Sequence, residues 1–252
     1  MSARFVTTPA VILKTGDYSE TSRLVTAFSR DLGKVRLLAK GAKRGKSPFA
    51  GLVEPLNHVE LVLIPSRSGL YTLKECAALG GASGLRGDLG RLAPALFALA
   101  LVDETQVDED PQPAVFELLV GVLGQLEATE NASALLFAYQ LQLIALSGYG
   151  LELERCAADG APLKGGALFS PVHKGFLCRS CGRGLKGRRV SPGAFSVLKH
   201  LDETPLERAG RVRLSAAQTT ELARLFNLVL ETFLEKKLAV VAIIRKLGAP
   251  KG

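Results

Sequence analysis

From Thr8 to Glu75 the apolar positions fall into short runs and alternations separated by turn residues, which is the pattern of strands rather than helices. It predicts strands near Ala10–Thr15, Arg23–Ser29, Lys34–Lys40, Asn57–Ile64 and Gly69–Lys74. Breaks fall at Gly16-Asp17, at Asp31-Leu32-Gly33, in the long stretch Gly41–Pro55 and at Pro65-Ser66. Five short strands with one long loop predict a small barrel. The oligonucleotide-binding (OB) type fits that count, and an SH3-like barrel shares it.

Gly80-Gly81-Ala82-Ser83-Gly84 reads as a linker, and beyond it the period becomes helical. Leu85, Leu89, Leu92, Leu96 and Leu99 recur at helical spacing, with Pro94 a kink or boundary. The acidic turn Asp108-Glu109-Asp110-Pro111-Gln112-Pro113 precedes two helices, Ala114–Ala128 and Ser133–Ser147. The stretch Leu135–Leu146 is apolar nearly all round, so the second is expected at the centre of a core. A glycine-, cysteine- and lysine-rich insertion near Gly148–Arg189 interrupts the helices. They resume at Ser191-Pro192, an N-cap followed by proline at the first helical position. Ser215-Ala216-Ala217-Gln218 has capping-box spacing and opens a last helix over Ala216–Lys237. That helix is expected to bury Leu222, Leu225, Leu228 or Val229, and Phe233.

The fold expected is therefore α+β and multidomain. An N-terminal five-stranded OB-fold barrel over residues 1–80 is followed by an α-helical domain in two parts, 81–150 and 190–252. A zinc-ribbon-like module, 151–189, is inserted between them. At 252 residues and 47% hydrophobic content the chain can bury a sizeable core.

Charge sharpens this picture. The net charge of +8 divides into +6 for residues 1–82, −7 for 83–150 and +9 for 151–252. Basic ends around an acidic middle suit a protein whose ends meet a polyanion, and they also suit attraction within the monomer. Between Arg30 and Lys46 stand Arg30, Lys34, Arg36, Lys40, Lys43, Arg44 and Lys46, with Asp31 the only acid. Lys34, Arg36 and Lys40 alternate with Val35, Leu37 and Ala39, so a strand puts the cations on one face and the apolar side chains on the core face. The glycine-broken loop that follows carries the rest, a layout suited to phosphates. Lys34, Arg36, Lys40, Lys43, Arg44 and Lys46, with Lys14 and Arg23, form the expected primary nucleic-acid site. Arg188 and Arg189 belong to a second basic surface with Arg179, Arg183 and Lys186. Tyr18, Phe28, Phe49 and Tyr71 are candidates for stacking on bases, Phe28 being better explained by the core.

Cys178-Arg179-Ser180-Cys181-Gly182 is half of a zinc knuckle. Its partner is Cys156-Ala157-Ala158-Asp159-Gly160, with 18 residues between Asp159 and Cys178. Cys156, Asp159, Cys178 and Cys181 make a three-sulfur, one-oxygen set for a single structural zinc ion, with His173 a possible substitute for Asp159. Cys76 reads as a core cysteine. Gly41-Ala42-Lys43-Arg44-Gly45-Lys46-Ser47 superficially resembles a P-loop, with three residues between its glycines where four are needed. Paired catalytic carboxylates and the common hydrolase and dinucleotide motifs do not occur, so nothing points to an enzyme. The first residues carry no secretory pattern and the apolar runs Leu135–Ala138 and Leu238–Ile244 are short, which places the expected location in the cytoplasm.

Taken together, these residues resemble the RecO family of recombination mediators. The likeness is carried by Ala10-Val11-Ile12-Leu13, Tyr18 to Thr26, Gly33-Lys34, Ala39 to Arg44, Ser47 and Leu52-Val53-Glu54-Pro55, and by the order of parts thereafter. Asp159 departs from the family, whose zinc-bearing members usually have cysteine there. The resemblance implies a non-enzymatic DNA-repair protein, nucleoid-associated during repair. Such a protein binds single- and double-stranded DNA and anneals complementary strands. It also associates with RecR and helps RecA replace single-strand-binding protein (SSB) on gapped DNA. Separately, a groove between apolar helices, rimmed by cations, is the expected seat of the acidic, apolar-ended C-terminal tail of SSB. A rival of another class is an interaction adaptor whose basic surfaces meet acidic partner tails.

Overall fold

The structure, a computed structural model, describes residues 5–66, 69–80, 82–129 and 131–235. The expected end of the last helix, the run Leu238–Ile244, the extreme N-terminus and Gly81 lie outside these residues. The chain divides into two compact units, 1–123 and 124–252.

In the first unit β1 (Val6–Asp17), β2 (Arg23–Ser29), β3 (Gly33–Ala39), β4 (His58–Ile64) and β5 (Leu70–Gly80) close a barrel in the order β1-β2-β3-β5-β4. β3 and β5 pair in parallel, Leu37 opposite Tyr71, and the remaining neighbours are antiparallel. This closed order with one parallel pair is that of the OB barrel and settles the choice of barrel type. Alternation builds it: Val35, Leu37 and Ala39 point inward to meet Ala10, Ile12, Val25, Ala27, Val59, Leu61, Leu63 and Leu73. β1 departs from alternation, with Ala10, Val11, Ile12 and Leu13 all buried and a register shift between Ile12 and Lys14.

α1 (Ser83–Arg86), α2 (Leu89–Thr105) and α3 (Pro113–Ala128) follow the barrel. The leucines from Leu85 to Leu99 span two helices, and the boundary falls at Gly87-Asp88 rather than at Pro94. Asp88 ends the first turn and caps α2 by accepting from the Gly90 amide, leaving Leu89 80% exposed. α2 buries Ala95, Ala98, Leu99, Leu101 and Val102 instead, and Pro94 sits inside it. Phe116 of α3 lies 6.4 Å from Phe28 and edge-on to His58 at 5.8 Å, ring centre to ring centre.

Burial lowers the His58 pKa below 6.5, opposed by Glu117. The folded barrel thus prefers neutral imidazole. The stability this contributes is full above about pH 6.5 and is lost as pH falls through the depressed folded value. In His58→Gln the acid limb of melting temperature against pH should be shallower; an unchanged limb would refute the assignment.

In the second unit α4 (Ala132–Leu146) is the central helix, with Leu135, Phe137, Ala138, Tyr139, Leu141, Leu143 and Ile144 all buried. Gln140, also buried, donates to the Leu136 carbonyl at 2.9 Å. The insertion folds as a three-stranded sheet of β6 (Ala167–Ser170), β7 (Gly175–Leu177) and β8 (Arg188–Val190), ordered β7-β6-β8. α5 (Pro192–Glu203), α6 (Leu206–Ala209) and α7 (Ala216–Leu234) complete the unit. Ser191 caps α5, and Ser215 with Gln218 forms the expected capping box of α7. α7 buries Leu222, Leu225, Phe226, Val229 and Leu230; Leu228 and Phe233 are only partly covered, because its inner face is rotated toward Phe226 and Leu230.

Candidate nucleic-acid interface and metal site

The expected cations of the barrel separate into two groups. Lys14, Arg23, Lys34, Arg36 and Lys43 each have a carboxylate partner. Lys14 Nζ lies 2.8 Å from Asp103. Lys34, its side chain only 14% exposed, donates to the Asp103 carbonyl at 2.7 Å and lies 3.4 Å from the Asp108 carboxylate. Arg36 Nε is 3.7 Å from the other oxygen of Asp108. Arg23 pairs with Glu54, and Lys43 with Asp17 at 2.8 Å, which lowers the Asp17 pKa. Lys40, Arg44 and Lys46 are exposed, and among the described residues they form no ion pair.

The segment that answers Lys34 is the acidic turn, docked on β3 almost as an extra strand. Lys34 and Asp108 form a parallel bridge, and the Glu109 amide donates to the Lys34 carbonyl at 2.9 Å. Burial, then the neighbouring Glu109 carboxylate, raises the Tyr71 pKa. Gly33 makes the docking possible: its φ is +71°, and a Cβ there would stand 2.2 Å from the Asp110 carbonyl oxygen. Gly33→Ala should therefore cost more than about 2 kcal/mol, read as a drop in the midpoint of urea unfolding. A change under about 0.5 kcal/mol would show that the turn is not held against β3.

The β3–β4 loop, expected as glycine-broken coil, is a chain of hydrogen-bonded turns. Arg44 N donates to Gly41 O at 3.1 Å, Ser47 N to Arg44 O at 2.9 Å and Leu52 N to Phe49 O at 3.1 Å. Phe49, Val53 and Ala42 anchor it in the barrel core. Asn57 Nδ2 clamps its far end on the Gly51 and Leu52 carbonyls. The loop thus presents Arg44 and Lys46 from a fixed base, with the Arg44 side chain lying over Gly41, whose φ is +73°. No helix follows Ser47, so the P-loop likeness ends there. Of the aromatic candidates, Phe28 and Phe49 are core, Tyr71 is half-buried, and Tyr18 is exposed.

In the second unit Cys156, Asp159, Cys178 and Cys181 converge, their ligand atoms all within 4.8 Å of one another. One ion with bonds of roughly 2.0–2.3 Å to each donor fits that spacing. Two tight turns make the cage: Gly160 N donates to Cys156 O and Gly182 N to Cys178 O, both at 2.9 Å. Backbone amides point at the sulfurs, Cys178 N at Cys156 Sγ (3.3 Å) and Cys181 N at Cys178 Sγ (3.5 Å). Hydrogen bonds from Cys156 and Cys181 hold the Asp159 carboxyl down at about 2. Hydrogen bonds from the Cys181 amide and Ser180 bring Cys178 to about 7, and the bond to Asp159 pushes Cys181 up to about 12. His173 is not one of the four; its Nδ1 lies 3.0 Å from Ser170 Oγ. The group can hold a metal ion, and its donors suit zinc by chemistry.

Arg188 and Arg189 stand exposed on β8. They line a cavity with Arg224 of α7, a residue the sequence pattern did not single out. Asp103, Asp108 and Arg224 are the participants that sequence reasoning missed. The charge of the acidic turn was visible, but the strand it docks on was not.

The chain thus combines an OB barrel bearing exposed basic loop residues with a helical region whose inserted ribbon brings together four residues able to hold a metal ion. The family model "Recombination protein O N terminal" matches residues 1–81, and "Recombination protein O C terminal" matches 86–240. The chain belongs to the RecO family. Relatives named DNA repair protein RecO include one from Roseiflexus sp. (strain RS-1), 35% identical over 94% of this chain and 83% of its own length. Another, from Anaeromyxobacter dehalogenans (strain 2CP-C), is 33% identical over 94% and 95%. One from Bacillus pumilus (strain SAFR-032) is 29% identical over 86% and 84%. Among the described residues no helix is long and apolar enough to cross a membrane.

Proposed function

We propose that this chain is a non-enzymatic recombination mediator that holds single- and double-stranded DNA by its backbone and anneals complementary strands. The observation that carries the reading is the set Lys40, Arg44 and Lys46, without an ion pair among the described residues, on a loop anchored in the barrel core. Such a loop neutralises phosphates while leaving base edges free to pair, and the neutralisation lowers repulsion between two strands. Lys43, Arg23, Lys14, Lys34 and Arg36 flank it. They exchange carboxylate partners for phosphates only at the cost of their present ion pairs. Structural zinc at Cys156, Asp159, Cys178 and Cys181 keeps the ribbon in shape.

The partners proposed are RecR, the SSB tail and, through them, RecA. For the tail, a cavity of about 770 Å³ in the second unit is lined by Val197, Pro205 and Val212 together with Arg208, Arg211 and Arg213, which outnumber its one acid, Glu203. Apolar side chains beside an excess of arginines suit an acidic peptide with an apolar end. This also supports the adaptor reading. The two are separated by annealing of complementary oligonucleotides with no nucleotide added: acceleration by the protein alone supports the mediator. Binding of the SSB tail without acceleration would leave an adaptor.

A further inference from the structure

The second unit holds a cavity of about 540 Å³ between β8 and the first half of α7, lined by Arg188, Arg189, Ala216, Ala217, Thr220, Glu221 and Arg224. Its one acid is already committed: Glu221 accepts from the Ser191 amide at 2.6 Å and from the Ser191 hydroxyl at 2.7 Å, one carboxylate oxygen each. The three guanidinium groups are exposed, and among the described residues none makes an ion pair. Arg189 Nη2 donates to the Gly182 carbonyl at 3.3 Å, which ties it to the second metal knuckle and fixes its direction. The other walls are the small side chains of Ala216 and Ala217 and a threonine hydroxyl, which let a bulky anion approach closely and offer nothing for a large apolar side chain. That distinguishes this cleft from the cavity lined by Val197, Pro205 and Val212.

We infer that Arg188, Arg189 and Arg224 form a preorganised cleft for backbone phosphates, which holds a second nucleic-acid strand while the barrel loop holds the first. The inference rests on the DNA-binding reading above and deepens it. Annealing needs two strands on one protein, and one phosphate-binding surface in each compact unit supplies them. Guanidinium groups suit phosphates in a way that lysines do not, because each presents planar paired donors. Arg179, Arg183 and Lys186 are not part of the cleft, so their replacement should matter less.

The test uses the full-length protein and a fluorescent oligonucleotide of about eight nucleotides, near the lower range of single-strand sites on such barrels. Wild type should bind two strands per chain by anisotropy titration and native mass spectrometry. Arg188→Glu/Arg224→Glu should bind one, with the remaining affinity unchanged and annealing slowed about tenfold or more. Arg224→Lys should keep the second strand more weakly. The exposure of both arginines makes folding of the variant safe to check by circular dichroism. One strand per wild-type chain, or two in the double variant, would overturn the cleft while leaving the barrel site standing. No binding by wild type would instead remove the underlying DNA reading. Binding of a polyaspartate peptide that the double variant abolishes and that the oligonucleotide does not displace would reassign the cleft to acidic protein partners and equally overturn the proposal.

Discussion

Replacing Lys40, Arg44 and Lys46 together by alanine should weaken single-strand binding about 50-fold at physiological salt. Each phosphate neutralised on a single strand contributes about 0.7 to the slope of log affinity against log salt. Removing three such cations should therefore make the slope shallower by about 2, and extrapolation from 1 M to about 0.15 M salt gives the factor of 50. Stability should hardly move, because all three side chains are exposed on turns whose backbone hydrogen bonds do not involve them. Lys34→Ala is the contrasting control. It removes the cation that binds the Asp103 carbonyl and faces Asp108, so it should destabilise the barrel by roughly 1–3 kcal/mol while leaving the salt slope nearly intact. The reverse pattern, with Lys34 controlling the slope and the loop triple silent, would move the phosphate site onto the β3 face.

The second large effect concerns the metal cage. Cys181→Ser should reduce zinc affinity by about two to three orders of magnitude, since it removes one of only three thiolates. Asp159→Cys should tighten it by a similar factor, converting the set to four sulfurs. Acid should release the ion. The bound form needs thiolates, Cys178 titrates near 7 and Cys181 near 12 in the absence of a cation, so each bound ion expels protons. Affinity therefore rises with pH throughout this range, and its dependence steepens below about 7 where Cys178 also becomes protonated. Asp159 stays ionised far below that and does not set the acid limit. Titration with a chromogenic chelator reads both variants; equal zinc retention in wild type and Cys181→Ser would rule out the four-residue cage.

Much of this molecule is legible in its sequence. The three middle strands follow from alternation and turns to within a residue, whereas β1 begins four residues earlier than expected and β5 runs six further, into Gly80 that reads as linker. The Cys-x-x-Cys spacing with its degenerate partner at Asp159 points to the metal-ligand group. The leucine stripe from Leu85 fails for a local reason: Asp88 is a strong N-cap, and a cap outranks a periodic pattern that runs through it. Tertiary pairing is the other gap. Lys34 and Lys40 look alike in sequence, yet Lys34 lies beneath the acidic turn because Gly33 permits close backbone approach, whereas Lys40 does not. Long-range pairing of that kind leaves no periodicity. Arg224 illustrates the same point, since only the folding of β8 beside α7 places it with Arg188 and Arg189.

The most direct test of the DNA-binding reading is the salt dependence of wild-type binding to a fluorescent single strand. Affinity should fall steeply and linearly in log salt, nearly independent of base sequence, with annealing of complementary strands over the same salt range. Binding that ignores salt, or that is absent even at low salt while acidic peptides bind, would contradict it.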